Sequence, residues 1–302
     1  MQDRDDEAAG PVIVFRGRTD AECAELSLVL TAAGIPHDAY LGAASERVIA
    51  VPAADRNRAA SEIAAYLKER ARTSRPVPPP PSAADFHDAW VGVASYVAAL
   101  VLVAACAQQS LLGFDWLAAG ELEAGPALHG EAWRLVTALT LHADLGHLAG
   151  NLGFGAFFGY FAGRSFGFGL AWLAILTGGV LGNLLNSAIQ PADHRSIGAS
   201  TAVFAALGLL TAHAWRRGIA QTSWRARIAP IAAGVALLAF TGTAGENTDI
   251  FAHLMGFAAG FGLGALLSRV PPPRSRWLQA ACGAAAALLL IGAWLWGLSA
   301  AG

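Results

Sequence analysis

Residues 250–268, IFAHLMGFAAGFGLGALLS, run without a charge between Asp249 and Arg269. The run is close to the roughly 20 residues that cross a bilayer, yet it holds one ionisable side chain, His253, near its start. Glycine then recurs at every fourth position, Gly256, Gly260 and Gly264, a spacing that lets a second backbone come close. Six more stretches downstream of Asp88 are equally free of charge: 89–114, 145–163, 165–192, 196–215, 228–245 and 277–302. Seven candidate transmembrane helices follow, and the fold class they define is an all-α polytopic membrane bundle. The interval between Asp115 and Asp144 differs, because Glu121, Glu123, Glu131 and Arg134 interrupt its apolar residues. It reads as a long loop resting at the membrane interface.

Composition supports the same division. Charged residues make up 14% of the 302, against about 25% in ordinary soluble domains, and 23 of the 42 lie in residues 1–87. A net charge of −2, with no basic run interleaved with aromatics, excludes a nucleic-acid partner. Cys23, Cys106 and Cys282 are odd in number, far apart and in no C-x-x-C spacing, so neither a disulfide framework nor a zinc site is expected. No metal or organic cofactor is called for.

Upstream of the membrane part, residues 1–70 follow a β-α-β-β-α pattern. Strand-like runs near 11–16, 36–41 and 47–52 alternate with two helices. The first opens on the capping box Thr19-x-x-Glu22 and closes at Gly34. The second is capped by Asp55 and places Ile63, Tyr66 and Leu67 at i, i+3, i+4. This small α+β unit carries no catalytic constellation and reads as an interaction or regulatory module of unknown partner. Residues 71–87 form a linker in which Arg75 to Ser82 contains five prolines, a stiff spacer. Residues 88–302 are the membrane domain. The acidic start, Met1 to Glu7, has no apolar core behind it and is unlike a signal peptide, so the first domain is expected in the cytoplasm.

Arginine sets the orientation. With the N-terminus inside, the cytoplasmic connections hold Arg164, then Arg216, Arg217, Arg225 and Arg227, then Arg269, Arg274 and Arg276, whereas the opposite side holds only Arg134 and Arg195. That asymmetry obeys the positive-inside rule. The second, fourth and sixth helices then all begin at the outer face. His147 and Asn151 lie one turn apart on the second; Gly198, Ala199, Ser200 and Thr201 open the fourth; His253 sits near the start of the sixth. At about 1.5 Å per residue, these groups share a depth roughly 5–10 Å below the boundary. Polar and ionisable groups at one level inside a membrane mark a cavity or a functional site. A serine and a histidine supply a nucleophile and its general base. A second histidine, an asparagine and the free N–H groups at a helix start can stabilise an oxyanion. Asp249, one turn before His253, either orients that ring or caps the helix. Gly208, two turns after Ser200, suits the close approach that a bond across two helices needs. His213 reads as an interfacial residue and His194 as a solvated loop residue. Asn183, Asn186 and Gln190 read as interhelical hydrogen-bonding groups.

These residues resemble a known family. Trp133-Arg134, the H-x-x-x-x-H-x-x-x-N of His142, His147 and Asn151, the Gly198-Ala199-Ser200 segment and Ala252-His253-x-x-Gly256-x-x-x-Gly260 together look like the rhomboid intramembrane serine proteases. The likeness covers about residues 88–302 and implies a six-plus-one helix arrangement. It implies Ser200 as nucleophile, His253 as base, His147 and Asn151 as oxyanion stabilisers, His142 as a residue at the mouth of the site, and Trp133 and Arg134 as shapers of the interfacial loop. Thr201 stands where the family usually has glycine, a change that alters the approach of the sixth helix or of substrate. The function implied is hydrolysis of peptide bonds in or near transmembrane segments of other membrane proteins, at the outer face of the cell's inner (plasma) membrane. A substrate helix would enter past the fifth helix. A metalloprotease would show H-E-x-x-H, and a transporter internal repeats with midplane polar sites; neither is present. The remaining alternative is an inactive relative that binds membrane-protein clients, although such members usually lack the serine or the histidine.

Overall fold

The computed structural model describes residues 10–17, 19–42, 46–73, 86–218, 224–242 and 249–302. The acidic start and the proline run of the linker lie outside these residues. Two compact units are present, Met1–Pro79 and Pro80–Gly302.

In the first unit, strands β1 (Val12–Gly17), β2 (Asp38–Leu41) and β3 (Arg47–Val51) form an antiparallel sheet of order β1-β3-β2, with helix α1 (Asp20–Ala32) between the first two strands and α2 (Arg56–Thr73) after the third. Thr19 caps α1 by accepting from the Glu22 N–H, and Gly34 closes it with φ +68°, a conformation that glycine adopts without strain. Asp55 ends a 3-10 turn that runs into α2. Leu26, Leu30, Ile49, Val51 and Ile63 form the core, with Tyr66 packed at its edge. Leu67 departs from the expected apolar face and is 39% exposed; Tyr66 already covers that edge and donates its hydroxyl hydrogen to Glu25.

The second unit begins with α3 (Ala89–Gln108). Four short elements follow, α4 (Trp116–Gly120), β4 (Leu122–Glu123), α5 (Ala124–Leu128) and α6 (Arg134–Thr137). Six long helices complete it: α7 (Leu145–Phe166), α8 (Phe168–Ile189), α9 (Ser200–Gly218), α10 (Trp224–Gly242), α11 (Ile250–Leu267) and α12 (Arg276–Ala301), with strand β5 (Arg195–Ser196) just ahead of α9. Helices α3, α8, α11 and α12 are each long and apolar enough to cross a membrane by themselves. Together with α7, α9 and α10 they make an integral membrane bundle of seven long helices among the described residues. From Thr201 to Leu209 every residue of α9 is buried, which makes α9 the central helix, enclosed on all sides.

The interval 115–144 is not the plain loop expected from its charges. Strand β4 pairs antiparallel with β5, Leu122 opposite Ser196 and Glu123 opposite Arg195. The Arg134 guanidinium donates to the carbonyls of Ala118 (2.9 Å) and Glu121 (2.8 Å), the Thr137 hydroxyl to Gly120 (2.8 Å), and the Trp133 ring N–H to Ala119 (3.1 Å). Side-chain donors thus replace water for backbone carbonyls in apolar surroundings, where an unpaired group is costly.

Helix α12 is anchored by Gln279, a residue the sequence pattern does not mark. Its side-chain oxygen accepts from the N–H groups of Gly169 (3.0 Å) and Leu170 (2.9 Å), two first-turn donors of α8 that lack helical partners. Its amide donates to the carbonyls of Phe166 (3.0 Å) and Pro273 (2.9 Å). Gly169 makes the approach possible, since a Cβ there would stand 1.7 Å from the Gln279 carbonyl oxygen. Gln279→Leu conserves bulk and removes all four bonds. It should destabilise the fold by on the order of 2–4 kcal/mol, read as a lowered midpoint of unfolding in detergent.

Candidate active site

Helices α9 and α11 run in the same direction with their backbones in contact. A Cβ on Gly256 would stand 2.2 Å from the Thr201 carbonyl oxygen, one on Gly260 2.0 Å from that of Ala205, and one on Gly264 2.6 Å from that of Leu209. From the other side, a Cβ on Gly208 would stand 2.1 Å from the Phe257 carbonyl oxygen. The offset is constant, so the two helices rise in register from their starts. Phe204, one turn above Ser200 and therefore on the same face of α9, packs against the His253 ring, tilted by 37° with 4.4 Å between centroids. Ser200, the first residue of α9, and His253, 7% exposed in the first turn of α11, therefore lie at one level beside the same seam.

Thr201 occupies a triple junction. Its methyl carbon would lie 2.7 Å from a Cβ on Gly182 of α8 and 3.0 Å from one on Gly256 of α11. Two glycines therefore make room for the β-branched side chain, and α11 keeps its backbone contact with α9.

Helix α7 brings the remaining polar groups. Asp144 caps it by accepting from the His147 N–H (2.8 Å). The Asn151 amide donates to the His147 carbonyl (3.0 Å), and the Tyr96 hydroxyl of α3 donates to the Asn151 carbonyl (2.7 Å). An amide carries two N–H groups, so the second hydrogen of Asn151 remains for another acceptor. The His147 ring lies directly on Gly198: a Cβ there would stand 2.7 Å from its Cε1 and Nε2, and 3.6 Å from Ser200 Oγ. His142 meets His147 edge-on at 5.1 Å between centroids, and its Nε2 accepts from the Ala199 N–H at 3.5 Å. Burial and the neighbouring His147 push the His142 ring down to about 4, against the opposing pull of the Thr140 carbonyl and Asp144. At neutral pH the ring is uncharged and can accept that bond. The Gly198 N–H donates to the Ala138 carbonyl (2.9 Å), so both amides ahead of Ser200 are held.

The structure thus brings Ser200, His147, His142 and Gly198 into one cluster, with Asn151 one turn below His147 and His253 across the seam. Trp133 and Arg134 stand apart from it, in the folded segment that pairs through β4 and β5 with the approach to α9. Among the described residues no cluster of His, Cys, Asp or Glu could hold a metal ion.

Two sequence readings are corrected. His194 is not simply solvated, since its Nε2 lies 2.8 Å from an Asp249 carboxylate oxygen. His213 is not merely interfacial; it packs edge-on against Phe166 and its Nδ1 lies 3.0 Å from the Ser268 hydroxyl. Asp249 caps α11 through the Ala252 N–H (3.0 Å), and its other oxygen also accepts from the Asn186 amide (2.8 Å). Burial acts to raise the Asp249 carboxyl, but the Ala252 amide, His194 and Asn186 outweigh it and hold the group below the ordinary carboxylate range.

Comparison with known proteins points to one family. A family model of the rhomboid domain matches residues 129–270, an interval that contains every residue of the cluster. RHOMBOID-like protein 7 of Arabidopsis thaliana is 34% identical over 157 residues, 49% of this chain and 47% of the relative. Putative rhomboid protease YdcA of Bacillus subtilis (strain 168) is 30% identical over 134 residues, 44% of this chain and 66% of the relative. Rhomboid-like protease 1 of Toxoplasma gondii is 28% identical over 164 residues, 53% and 56% of the two chains. The chain spans about half the length of the curated relatives it matches.

Gly198 has φ +129°, so Gly198→Ala adds backbone strain of about 1–3 kcal/mol to a collision with His147. The variant should lose at least about tenfold of any activity that depends on Ser200 while retaining its helix content, as measured by reaction of Ser200 with a fluorophosphonate and by circular dichroism.

Proposed function

The chain belongs to the rhomboid family, and on that premise we propose that it is an intramembrane serine endopeptidase that cleaves other membrane proteins in or beside their transmembrane segments. The observation that carries this reading is the level arrangement of Ser200 and His253 across a glycine-lined seam. Ser200 Oγ attacks the scissile carbonyl carbon and gives its proton to His253 as the C–O bond forms. The carbonyl oxygen takes up the negative charge and meets the Ser200 N–H at the start of α9, the His147 ring and the Asn151 amide. As the C–N bond breaks, His253 returns the proton to the leaving nitrogen. Water then attacks the acyl ester, passing its proton through His253 back to Oγ, and the carboxylic product leaves. Neither a metal nor an organic cofactor enters these steps.

The arginine distribution supports an N-terminus in the cytoplasm and a site near the outer face of the plasma membrane, shallow enough for water to reach the ester. Helix α10 is the entry side for substrate. It carries Pro230 within its span and turns Ile228, Val235 and Phe240 outward. Its packing on α9 includes Gly234, where a Cβ would stand 2.3 Å from the Thr211 hydroxyl. The first unit is a cytosolic module for a partner yet to be identified.

Ser200→Ala and His253→Ala should each lower cleavage of a reporter membrane protein by at least about 10³-fold with unfolding midpoints unchanged. A fluorophosphonate should label Ser200 of the wild type. An unlabelled wild type that still captures membrane proteins would replace this reading with that of a binding relative.

A further inference from the structure

The α9–α11 seam is smooth. Glycines lie on backbone at Gly256, Gly260 and Gly264, so the contact sets how far apart the helices stand and does little to stop one sliding along the other. Side chains that bridge the two ends resist that sliding. At one end the His213 ring of α9 meets the Ser268 hydroxyl that follows α11. At the end that carries Ser200, the bridge is the Asp249 carboxylate.

Three elements converge on that carboxylate. One oxygen takes the Ala252 N–H and so fixes the first turn of α11, one residue ahead of His253. The other takes the Asn186 amide of α8 and the His194 ring N–H from the segment that leads through β5 to Ser200. The three side chains sit well inside the structure for a helix end: Asn186 is fully buried, and the side chains of Asp249 and His194 are 15% and 24% exposed. The Asn186 side-chain oxygen, Oδ1, has no partner among the described residues. The amide is therefore turned to serve Asp249 at the cost of its own acceptor, which a residue retained only for packing would not require.

We propose that Asn186 and His194 are positioning residues of the dyad, and that with Asp249 they form a clasp holding the nucleophile's segment and the base's helix in register. The clasp touches neither substrate nor reacting atoms and acts through Ser200 and His253, so it rests on the reading of those two as the dyad. Near-attack geometry is sensitive enough for a displacement of about 1 Å to cost on the order of 100-fold.

Asp249→Asn tests the clasp, because asparagine remains a good helix cap but presents N–H groups to the Asn186 and His194 donors. Adding Asn186→Asp reverses the polarity: the new carboxylate accepts from residue 249, and the His194 ring nitrogen can accept as the other neutral tautomer. Three readouts are compared: fluorophosphonate labelling of Ser200, the kcat and KM of reporter cleavage, and hydrogen exchange of the amides in 195–203 and 250–254. Asp249→Asn and Asn186→Leu should slow labelling and lower kcat by about tenfold or more with KM unchanged, and should speed exchange in those two segments only. The Asp249→Asn/Asn186→Asp pair should regain most of the rate, a coupling the single changes cannot produce independently.

Exchange unchanged in all variants would overturn the clasp. So would a labelling loss that follows the lowered unfolding midpoint without recovery in the double variant. If the wild type is not labelled at all while exchange still rises in the single variants, the clasp stands and the dyad reading falls.

Discussion

The rest of the bundle depends on one constraint: two membrane helices, α9 and α11, lie backbone against backbone, with Ser200 at the start of one and His253 in the first turn of the other. In lipid no hydrophobic force pulls helices together, so such contact relies on dispersion and shape. Here it is achieved by removing side chains. Gly256, Gly260 and Gly264 of α11 lie on the carbonyl oxygens of α9, and Gly208 answers from α9. The same close approach places α9 in the middle of the bundle, enclosed from Thr201 to Leu209, with Ser200 at the head of that run.

Backbone contact this close leaves the ends of the seam to be organised by polar groups. Around Ser200, each group that positions another is itself held. His142 accepts from Ala199, Gly198 donates to Ala138, Asp144 caps the helix of His147, and Tyr96 reaches Asn151. The folded segment between α3 and α7 adds the β4–β5 pairing, which ties the approach to Ser200 onto a platform fastened by Arg134, Thr137 and Trp133. Trp294 of α12 donates to the Thr140 hydroxyl at 3.1 Å, while Gln279 secures the opposite end of α12 to the turn between α7 and α8.

Much of this was legible in the residues because lipid forbids charge so strictly. Each charge-free run contains or overlaps one of the seven long helices, and the polar exceptions within those runs include His147, Asn151, Ser200 and His253. What could not be read has a common cause. Gln279 looks like an ordinary polar residue beside Arg276 until its four backbone partners, three of them more than a hundred residues away, are in view. Asp249 and His194 stand 55 positions apart, and no local spacing links them. The interval 115–144 read as a loop because its order comes from side chains bonded to carbonyls, a pattern with no periodicity. In the first unit, Leu67 fitted the helical repeat, yet the small core closes at Tyr66.

The junction of Gly182, Thr201 and Gly256 makes three positions on three helices a single steric unit. The space that one side chain fills is lent by the absence of two others, and backbone closes the glycine positions from their own side: a Cβ on Gly256 would stand 2.2 Å from the Thr201 carbonyl oxygen and one on Gly182 2.7 Å from the Gly256 Cα. Alanine at 182 or 256 would therefore collide with main chain even if the methyl at 201 were given up, whereas glycine at 201 would leave a hollow beside Ser200.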